Sequence, residues 1–326
     1  MSASNSKLRL GLDLSLRNAG KDEAPLKSKE RPHSVSVVVC TRHRAAFLQS
    51  CLAAVNGLDP RPDGILVVDN SEGNNDTRKV AEDHGARYTI EPVRGLSRAR
   101  NRGLMECDTD IVAFLDDDAT PEPDWLGLLL APFADTQTGA TTGRVITPDS
   151  QNSDALNQSS RTLSNHDRHW FEIATFGGLG FGTNMAFRKC ALPIQRFFDE
   201  RLGRGAPFEI GEENYAFAWL ISRGYRVVNI PSAVVHHPPH GRTSIRNEAR
   251  NSFAYWLLLF AEFPGQRLNI LHFLIRRLRG KPLDWPRPSP ESGDIVSSSW
   301  RLLFLAAIRG LWMFIRTRKH RYLRNP

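Results

Sequence analysis

Three consecutive acids, Asp116, Asp117 and Asp118, close the apolar run IVAFL. Adjacent carboxylates repel one another, so this cluster is expected to have a positive partner. A divalent cation, Mg²⁺ or Mn²⁺, held by carboxylate oxygens and by phosphate groups of a ligand would provide that charge. A solvated acidic turn is the simpler alternative for a lone DxD pattern. The buried strand before the acids and the PEPDWL segment after them favour the metal site.

Two more clusters of ionisable residues occur later in the chain. Glu212 and Glu213 stand at the predicted start of a helix, where the helix dipole alone would explain their presence as well as catalysis would. His236, His237 and His240 form a histidine cluster. The HHxxH spacing is not a usual zinc pattern and no cysteine lies near, so one histidine joining the aspartates on a shared metal is favoured. A buried structural role for His237 is the alternative.

Short apolar strands alternate with helices from Ser34 to the three aspartates. The strands read SVSVVVC, ILVVDNS, RYTIEP and DIVAFLDDD, and the helices between them read AAFLQSCLAAVNGL, NNDTRKVAEDHGA (with Asn75 as its predicted cap) and SRARNRGLMEC. Such alternation favours an α/β fold with a mainly parallel sheet covered by helices on both faces. Ligands of these sheets collect beyond the carboxyl ends of the strands. The polar residues at those ends therefore predict a binding rim: Thr41, Arg42, Asp69, Asn70, Asp116, Asp117 and Asp118.

The pattern is looser after the aspartates. PEPDWLGLLLAPFAD predicts a helix, GATTGRVI a strand, GTNMAFR a strand and GEENYAFAWLISRGY a helix, while RVVNIPSAVVHH predicts a strand pair or an extended segment. Residues 148–181 are first polar and then rich in glycine and aromatic residues.

The charge of the 326-residue chain is unevenly distributed. The net charge is +8, but residues 241–326 alone hold 16 Lys/Arg and 5 Asp/Glu, so the part before them is slightly acidic. We divide the chain into a polar segment 1–32, predicted to be disordered, an α/β domain over 33–240, and a basic amphipathic helical region over 241–326. The four cysteines are scattered without a CxxC pair, which argues against a zinc ribbon or a disulfide framework and fits a reducing cytoplasm.

The basic region mixes Trp, Phe and Leu with Arg at near-helical spacing. Helices of this kind can lie in a membrane interface with their arginines at anionic headgroups. The alternatives are packing on the α/β domain or between subunits, and nucleic-acid binding, for which no known motif is present. No signal peptide is expected at the N-terminus, and no apolar run reaches the roughly 18–20 residues of a membrane span. We expect a cytoplasmic protein, peripheral on the inner face of the cytoplasmic membrane, without a nucleic-acid partner.

Seven segments, in order over roughly residues 34–240, resemble family 2 glycosyltransferases of the GT-A fold. They are VSVVVCTRHR, ILVVDNS, GLSRARNRG, VAFLDDDATPEPDWL, GTNMAFR, GEEN and GYRVVNIPSAVVHH. The resemblance implies an inverting, metal-dependent enzyme of the bacterial cell-envelope type. Its donor would be a UDP-, dTDP- or GDP-sugar, its acceptor a hydroxyl of a glycan or lipid-linked glycan, and its cofactor Mn²⁺ or Mg²⁺.

The resemblance also implies roles for single residues. Asp116 and Asp118 are expected to form the metal-binding DxD pair, with Asp118 the more direct ligand and Asp116 nearer the ribose. His237, or His236 one residue before it, is expected to approach the metal and the diphosphate. Asp117 is assigned to the donor. The remaining donor contacts are Thr41, Arg42, Asp69 and Asn70 in the nucleotide pocket and Arg98 and Asn101 at the base or phosphates; the acceptor and sugar contacts are Thr183, Asn184, Glu212 and Trp170.

Two departures from the family pattern affect these assignments. The strand that commonly ends in paired aspartates ends here in Asp69 and Asn70, which leaves the base preference open. The Glu-Asp pair, whose second acid is the catalytic base, appears as Glu212 and Glu213, so position gives Glu213 the base role. Glu213 would take the proton of the acceptor hydroxyl as its oxygen attacks C1, and direct displacement would invert the anomeric centre.

Two other functions compete with sugar transfer. A sugar nucleotidyltransferase would need a glycine-rich phosphate loop after the first strand, and TRHRAAF contains no glycine. A non-enzymatic basic protein, peripheral on membranes or bound to nucleic acid, would explain the basic region but not the clustered acids.

Overall fold

The computed structural model describes residues 33–148, 160–176, 178–193, 196–239, 245–278 and 300–317. The segment predicted to be disordered, residues 1–32, lies outside the described residues, as does His240.

In the described part of the chain, nine strands form one sheet in the order β3-β2-β1-β4-β8-β6-β9-β5, with β7 paired to β9. β1, β2, β3 and β4 run parallel, as the alternation with helices predicted. β8 is inserted antiparallel between β4 and β6, and β9 runs parallel to β6. The bounds are β1 Val35–Thr41, β2 Gly64–Asp69, β3 Arg87–Ile90, β4 Ile111–Asp116, β5 Thr120–Pro121, β6 Thr138–Ile146, β7 Arg161–Leu163, β8 Asn184–Arg188 and β9 Arg226–His236.

Helices cover both faces of this sheet. Alternate side chains of β1 enter different core clusters, Val38 on one face and Val37 and Val39 on the other. One face is packed by α1 (Ala45–Asn56), α2 (Asn75–Asp83) and α4 (Trp125–Leu130). The other is packed by α3 (Leu96–Glu106), α5 (Trp170–Thr175), α6 (Glu212–Ser222), α7 (Ile245–Glu262), α8 (Arg267–Leu278) and α9 (Trp300–Thr317). This arrangement confirms the predicted α/β fold with helices on both sides of the sheet.

Local differences from the sequence prediction have simple causes. Asn74, not Asn75, caps α2, because its side-chain oxygen accepts from the backbone N–H groups of Asp76 at 2.8 Å and Thr77 at 3.1 Å. RVVNIPSAVVHH forms one strand, β9, whose register against β6 shifts between Gly143 and Arg144. Helix α5 lies within residues 148–181, for which the sequence predicted a composition but no helix.

The basic C-terminal region takes part in the core. Ala254, Tyr255, Leu258 and Leu259 of α7 are buried in the same cluster as side chains of the sheet. α9 packs against α7, and Gly310 permits the close approach, since a Cβ there would lie 2.9 Å from the Cβ of Phe253. The boundary at residue 240 thus marks a change of charge within one packed core. Of the described helices, none has both the length and the apolar content to cross a membrane.

Candidate metal and donor site

The structure brings the three predicted metal ligands together at the carboxyl end of β4. Asp116 is the last residue of β4, Asp118 lies in the turn after it, and His237 directly follows β9. β5 pairs antiparallel with the end of β9, with Thr120 opposite His236, and this pairing carries the histidine to the acids. One ligand atom each from Asp116, Asp118 and His237 lies within 4.8 Å of the others. Two carboxylates and one imidazole are a suitable ligand set for a divalent cation.

A backbone contact orients His237 for this role. Its Nδ1 lies 2.6 Å from the carbonyl oxygen of Pro238, which can only accept, so Nδ1 carries a proton. The Nε2 atom therefore faces the acids, 3.0 Å from Asp118 and 3.9 Å from Asp116. Burial opposes a charged ring, but the hydrogen bond with Asp118 raises the pKa of His237. A cation entering the site would take the place of the proton on Nε2.

Arg44, which the sequence did not reveal, holds the acids from the other side. Its guanidinium donates to Asp117 at 2.8 Å and to Asp118 at 2.5 Å. Burial works against ionised Asp118, but the hydrogen bonds from His237 and Arg44 lower its pKa. For Asp117 burial dominates and raises the pKa to about 6. Arg44 is thus one of the positive partners that three adjacent acids require.

Asp117 fixes the acidic turn to β1. Thr41 donates to one carboxylate oxygen of Asp117 at 2.6 Å while Arg44 binds the other, and Asp117 is buried. Both oxygens of Asp117 and the Thr41 hydroxyl thus form hydrogen bonds within the protein, which positions the turn, and the predicted donor contacts of Thr41 and Asp117 stay a prediction. Arg42 is exposed at this rim, and its contact with the nucleotide stays a prediction.

Arg100 joins the acids of β4 to the start of α6. Its guanidinium lies 2.9 Å from Glu212 and 3.5 Å from Asp116, and it donates to the carbonyl oxygen of Gly182 at 2.9 Å. The side chain is only 2% exposed. Thr183, next to Gly182, accepts a hydrogen bond from the backbone N–H of Asp116 at 3.3 Å. The predicted acceptor-side residues Glu212 and Thr183 are therefore connected to the metal ligands.

Glu213 occupies the position predicted for the base. α6 begins after Gly211, whose φ of 80° is favourable for glycine, and Glu213 is half-buried beside Glu212. Burial, and then the charge of Glu212, raises the pKa of Glu213 to about 8. A Cβ on Gly211 would lie 2.8 Å from the ring of Tyr255, so α7 packs directly against the start of this helix.

Asp69 and Asn70 form hydrogen bonds within the protein. The buried carboxylate of Asp69 accepts from Ser71 and from Tyr88, both at 2.7 Å. The Asn70 amide donates to the carbonyl oxygens of Glu91 and Val93, and its oxygen accepts from the Gly95 N–H. These bonds hold the loop before α3, and the predicted contacts of both residues with the nucleotide stay a prediction.

Asn101 and Asn184 are also committed to the fold. Asn101 donates to the carbonyl oxygen of Phe198 and accepts from its N–H, each at 2.8 Å. Asn184 accepts from the indole N–H of Trp125 at 2.8 Å and donates to the carbonyl oxygens of Arg144 and Ala233 at 2.9 Å. Since each amide is buried and satisfied, ligand binding by Asn101 or Asn184 would require breaking these bonds.

Two more residues, Arg98 and Trp170, were predicted to contact the donor and the acceptor. Arg98 forms an ion pair with Glu200 at 2.7 Å, which directs its guanidinium to that carboxylate. Trp170 is half-buried at the start of α5 and packs edge-on against Phe171 at 5.4 Å between ring centroids. α5 contacts α6, which bears Glu212 and Glu213, and the predicted role of Trp170 at the acceptor stays a prediction.

The structure adds two arginines to the predicted site residues, Arg44 and Arg100. Arg100 could have been found from its spacing, because it shares one face of α3 with Ser97 and Leu104, which are buried. Arg44 gave no such signal, since it precedes α1 in an exposed polar stretch.

Residues 36–193 match the family model described as Glycosyl transferase family 2. Together with the sheet and the acidic site, this match over just under half of the chain supports a family 2 glycosyltransferase. The fold is shared with the mannosyltransferase PcManGT of Pyrobaculum calidifontis, whose structure is a complex with GDP-Man and Mn²⁺. The TM-score is 0.52 at 17% identity, over 89% of this chain and 76% of that one.

Two relatives extend the comparison. The pre-mycofactocin glycosyltransferase of Mycobacterium tuberculosis is 29% identical over 231 residues, which cover 67% of this chain and 45% of that protein. The succinoglycan biosynthesis protein ExoM of Rhizobium meliloti is 29% identical over 238 residues, which cover 67% of this chain and 72% of that protein. The chain therefore spans less than half the length of the first relative.

Proposed function

We propose that the protein is an inverting glycosyltransferase that moves a sugar from a nucleoside diphosphate to an acceptor hydroxyl. The observation that carries this proposal is the arrangement of Asp116, Asp118 and His237 around one position, linked through Arg100 to the helix that bears Glu213. Asp116, Asp118 and His237 form the candidate metal site, and Glu213 is the candidate base, half-buried at the start of α6.

Different residues of the site act on the leaving group and on the acceptor. Asp116, Asp118 and His237 would hold Mn²⁺ or Mg²⁺, which would supply Lewis-acid neutralisation of the charge on the departing diphosphate. Glu213 accepts the proton of the acceptor hydroxyl while that oxygen bonds to C1. The bond from C1 to the diphosphate oxygen breaks with its electron pair going to the diphosphate. One displacement without an intermediate on the protein inverts the anomeric carbon.

The burial of Glu213 supports its role as base. A pKa raised to about 8 makes its carboxylate a stronger proton acceptor than an ordinary glutamate, close to the pH at which the reaction would run. Arg100 holds the neighbouring Glu212 in an ion pair, so of the two acids Glu213 is the one without that cation at hydrogen-bonding distance.

The substrates are proposed from chemistry and from the relatives. A UDP-, dTDP- or GDP-sugar fits a site that binds a cation beside a diphosphate, and PcManGT is a complex with GDP-Man and Mn²⁺. The relative ExoM is a succinoglycan biosynthesis protein. We infer that the acceptor is a hydroxyl of a glycan or of a lipid-linked glycan.

A donor screen tests the function. The full chain is incubated with each nucleotide sugar and Mn²⁺, and the release of nucleoside diphosphate is measured with and without EDTA. We expect slow metal-dependent release with one class of donor, because water can replace the acceptor. Release of pyrophosphate in the presence of a sugar phosphate and a nucleoside triphosphate would identify a nucleotidyltransferase instead. Failure of every donor to react or to stabilise the protein would contradict glycosyl transfer.

A further inference from the structure

Large apolar side chains are exposed mainly on two helices of the basic region. Among the described residues, seven of the ten exposed large apolar side chains lie on α8 and α9. They are Leu268, Leu271 and Ile275 on α8 and Ile308, Leu311, Trp312 and Ile315 on α9. Single exposed apolar residues are ordinary, but a concentration of this kind indicates a binding surface.

The four residues of α9 form one stripe. Their spacing of three, four and seven residues places them on the same side of the helix. The opposite side of α9 faces the protein, through Gly310 against α7 and through Met313 and Phe314 against the core. The stripe is therefore not a core face, and 59% of Trp312 is exposed.

α8 repeats this division. Ile270 and Phe273 are buried, and the ring of Phe273 stacks on that of Phe176 with 3.8 Å between centroids. Leu268, Leu271 and Ile275 share the other side, again at a spacing of three and four residues.

Positive charge accompanies the apolar stripe. Arg309 and Arg316 are exposed and lie seven residues apart, so they occupy the same flank of α9 beside the stripe. Arg316 lies over the ring of Trp312 at 5.0 Å. The sequence from residue 241 onward holds 16 Lys/Arg and 5 Asp/Glu. A second copy of the chain would bring the same charge to such an interface, whereas an anionic lipid surface attracts it.

We propose that the exposed faces of α8 and α9, which we call the docking surface, bind the protein to an anionic lipid bilayer. The apolar side chains enter the headgroup boundary and the arginines pair with lipid phosphates. The docking surface then holds the enzyme where a membrane-borne acceptor presents its hydroxyl, an extension that rests on the proposed function.

The buried side of α8 packs on a residue that precedes the acceptor side of the site in sequence. Phe176, on which Phe273 stacks, follows α5 directly, and the chain next returns to the site at Gly182 and Thr183. Gly182 accepts from Arg100, and Thr183 accepts from the N–H of Asp116. The residue on which α8 packs is thus six positions before Gly182 in the sequence.

Co-sedimentation of the full chain with vesicles tests the proposal. Phosphatidylglycerol vesicles are compared with phosphatidylcholine vesicles, using wild type, Trp312→Ser/Ile315→Ser and Arg309→Ser/Arg316→Ser. Met105→Ser is the matched control, because Met105 is 58% exposed but lies on α3. We expect wild type and the control to bind the anionic vesicles. Loss of two arginines should weaken binding roughly 30-fold, and loss of Trp312 and Ile315 should weaken it by a similar factor or more.

The release of nucleoside diphosphate in solution separates this proposal from the proposed function, since the variants should keep it. Equal vesicle binding by wild type and Trp312→Ser/Ile315→Ser, or no binding by wild type, would overturn the docking surface even if turnover is normal. If ultracentrifugation shows that wild type is a dimer and this variant a monomer, while neither binds vesicles, the surface is a subunit interface and the proposal is wrong.

Discussion

A terminal nitrogen of Arg100 lies 2.9 Å from a carboxylate oxygen of Glu212, where both side chains are at most 10% exposed. The same guanidinium approaches Asp116 to 3.5 Å. One buried cation therefore fixes an acid of the metal site and an acid at the start of α6. The distance between the two halves of the site depends on this side chain.

Replacing Arg100 should destabilise the protein. Arg100→Met leaves Glu212 buried without its cation, a change that typically costs about 3–5 kcal/mol in the free energy of unfolding. Arg102→Met is the matched control, because Arg102 lies on the same helix, is 39% exposed and forms a surface ion pair with Glu106. We expect it to cost about 0.5 kcal/mol or less. Urea denaturation measures both values.

The double variant Arg100→Met/Glu212→Gln separates stability from positioning. It removes the unpaired charge, so part of the lost unfolding free energy should return. Sugar transfer should stay low, because Asp116 and the Gly182 carbonyl still lack their donor. Wild-type turnover in the double variant would show that Arg100 has no part in the site.

Glu213→Gln should lower kcat by about 10²–10⁴-fold, the usual effect of losing a general base. Donor affinity, measured by calorimetry, should change little, because the metal ligands are intact. Glu209→Gln, an exposed glutamate four residues earlier, is the control and should retain normal turnover. Near-normal kcat in Glu213→Gln together with an inactive Glu212→Gln would show that Glu212 is the base.

The raised pKa of Glu213 predicts two opposite pH effects. The base must be ionised, so kcat/KM should rise with pH up to about 8 and level off above it, and this limb should disappear in Glu213→Gln. Stability should behave in the reverse sense. The folded state binds the proton more tightly than the unfolded state, so unfolding free energy is lost as pH rises from the ordinary range of glutamate through about 8. Thermal unfolding of wild type and Glu213→Gln is compared at pH 6 and pH 9 as test conditions. The stability of the variant relative to wild type should be greater at the higher pH.

Asp118→Asn should abolish metal binding. The variant loses the charged ligand on which His237 and Arg44 converge. Calorimetry with Mn²⁺ should give no measurable heat, and donor turnover should fall to background while the circular dichroism spectrum is unchanged. Asp124→Asn is the control, since Asp124 is exposed nearby and its side chain makes no capping hydrogen bond. Full turnover of Asp118→Asn, or of wild type in EDTA, would remove the metal from the mechanism.

Helix α7 should be required for folding. Leu258 is fully buried in the core cluster that includes the sheet, so Leu258→Ala should cost about 2–5 kcal/mol in urea denaturation. Leu257→Ala is the control, because Leu257 is half-buried, and it should cost clearly less. A chain that ends before α7 is expected to be insoluble or unfolded. If that shortened chain folds normally and Leu258→Ala has no effect, α7 does not contribute to the stability of the fold.

The sequence predicted the parts of the site that depend on local pattern. Continuous apolar runs identified β1, β2 and β4, and the parallel order then placed Asp116 and Asp118 at one edge. His237 was predicted from the family resemblance, and the β5–β9 pairing supplies the physical reason for its position. The antiparallel insertion of β8 between β4 and β6 was not visible, because pairing of distant strands leaves no periodic signal.

The hydrogen-bond and ion-pair partners of other residues were not predicted, because residue type and position in the sequence do not reveal them. Asp69 and Asn70 stand at the rim as predicted, but the neighbouring loop uses their polar atoms. Arg100 carries the same charge as the half-buried Arg98 and Arg102 of α3, and only the fold shows that Arg100 is fully buried between acids. Burial of a charged group is decided by long-range packing, which a local pattern does not contain.

The order of the strands has a consequence for synthesis on the ribosome. The N-terminal part of a protein can begin to fold while the rest is still being made. β1, β2, β3 and β4 can pair early, but one edge of β4 waits for β8, and the cation site waits for His237 at the end of β9. A nascent chain therefore presents the acids of the Asp116 turn long before their histidine arrives. The three candidate metal ligands can therefore come together only when β9 closes the sheet, while 89 residues of the chain are still to follow His237.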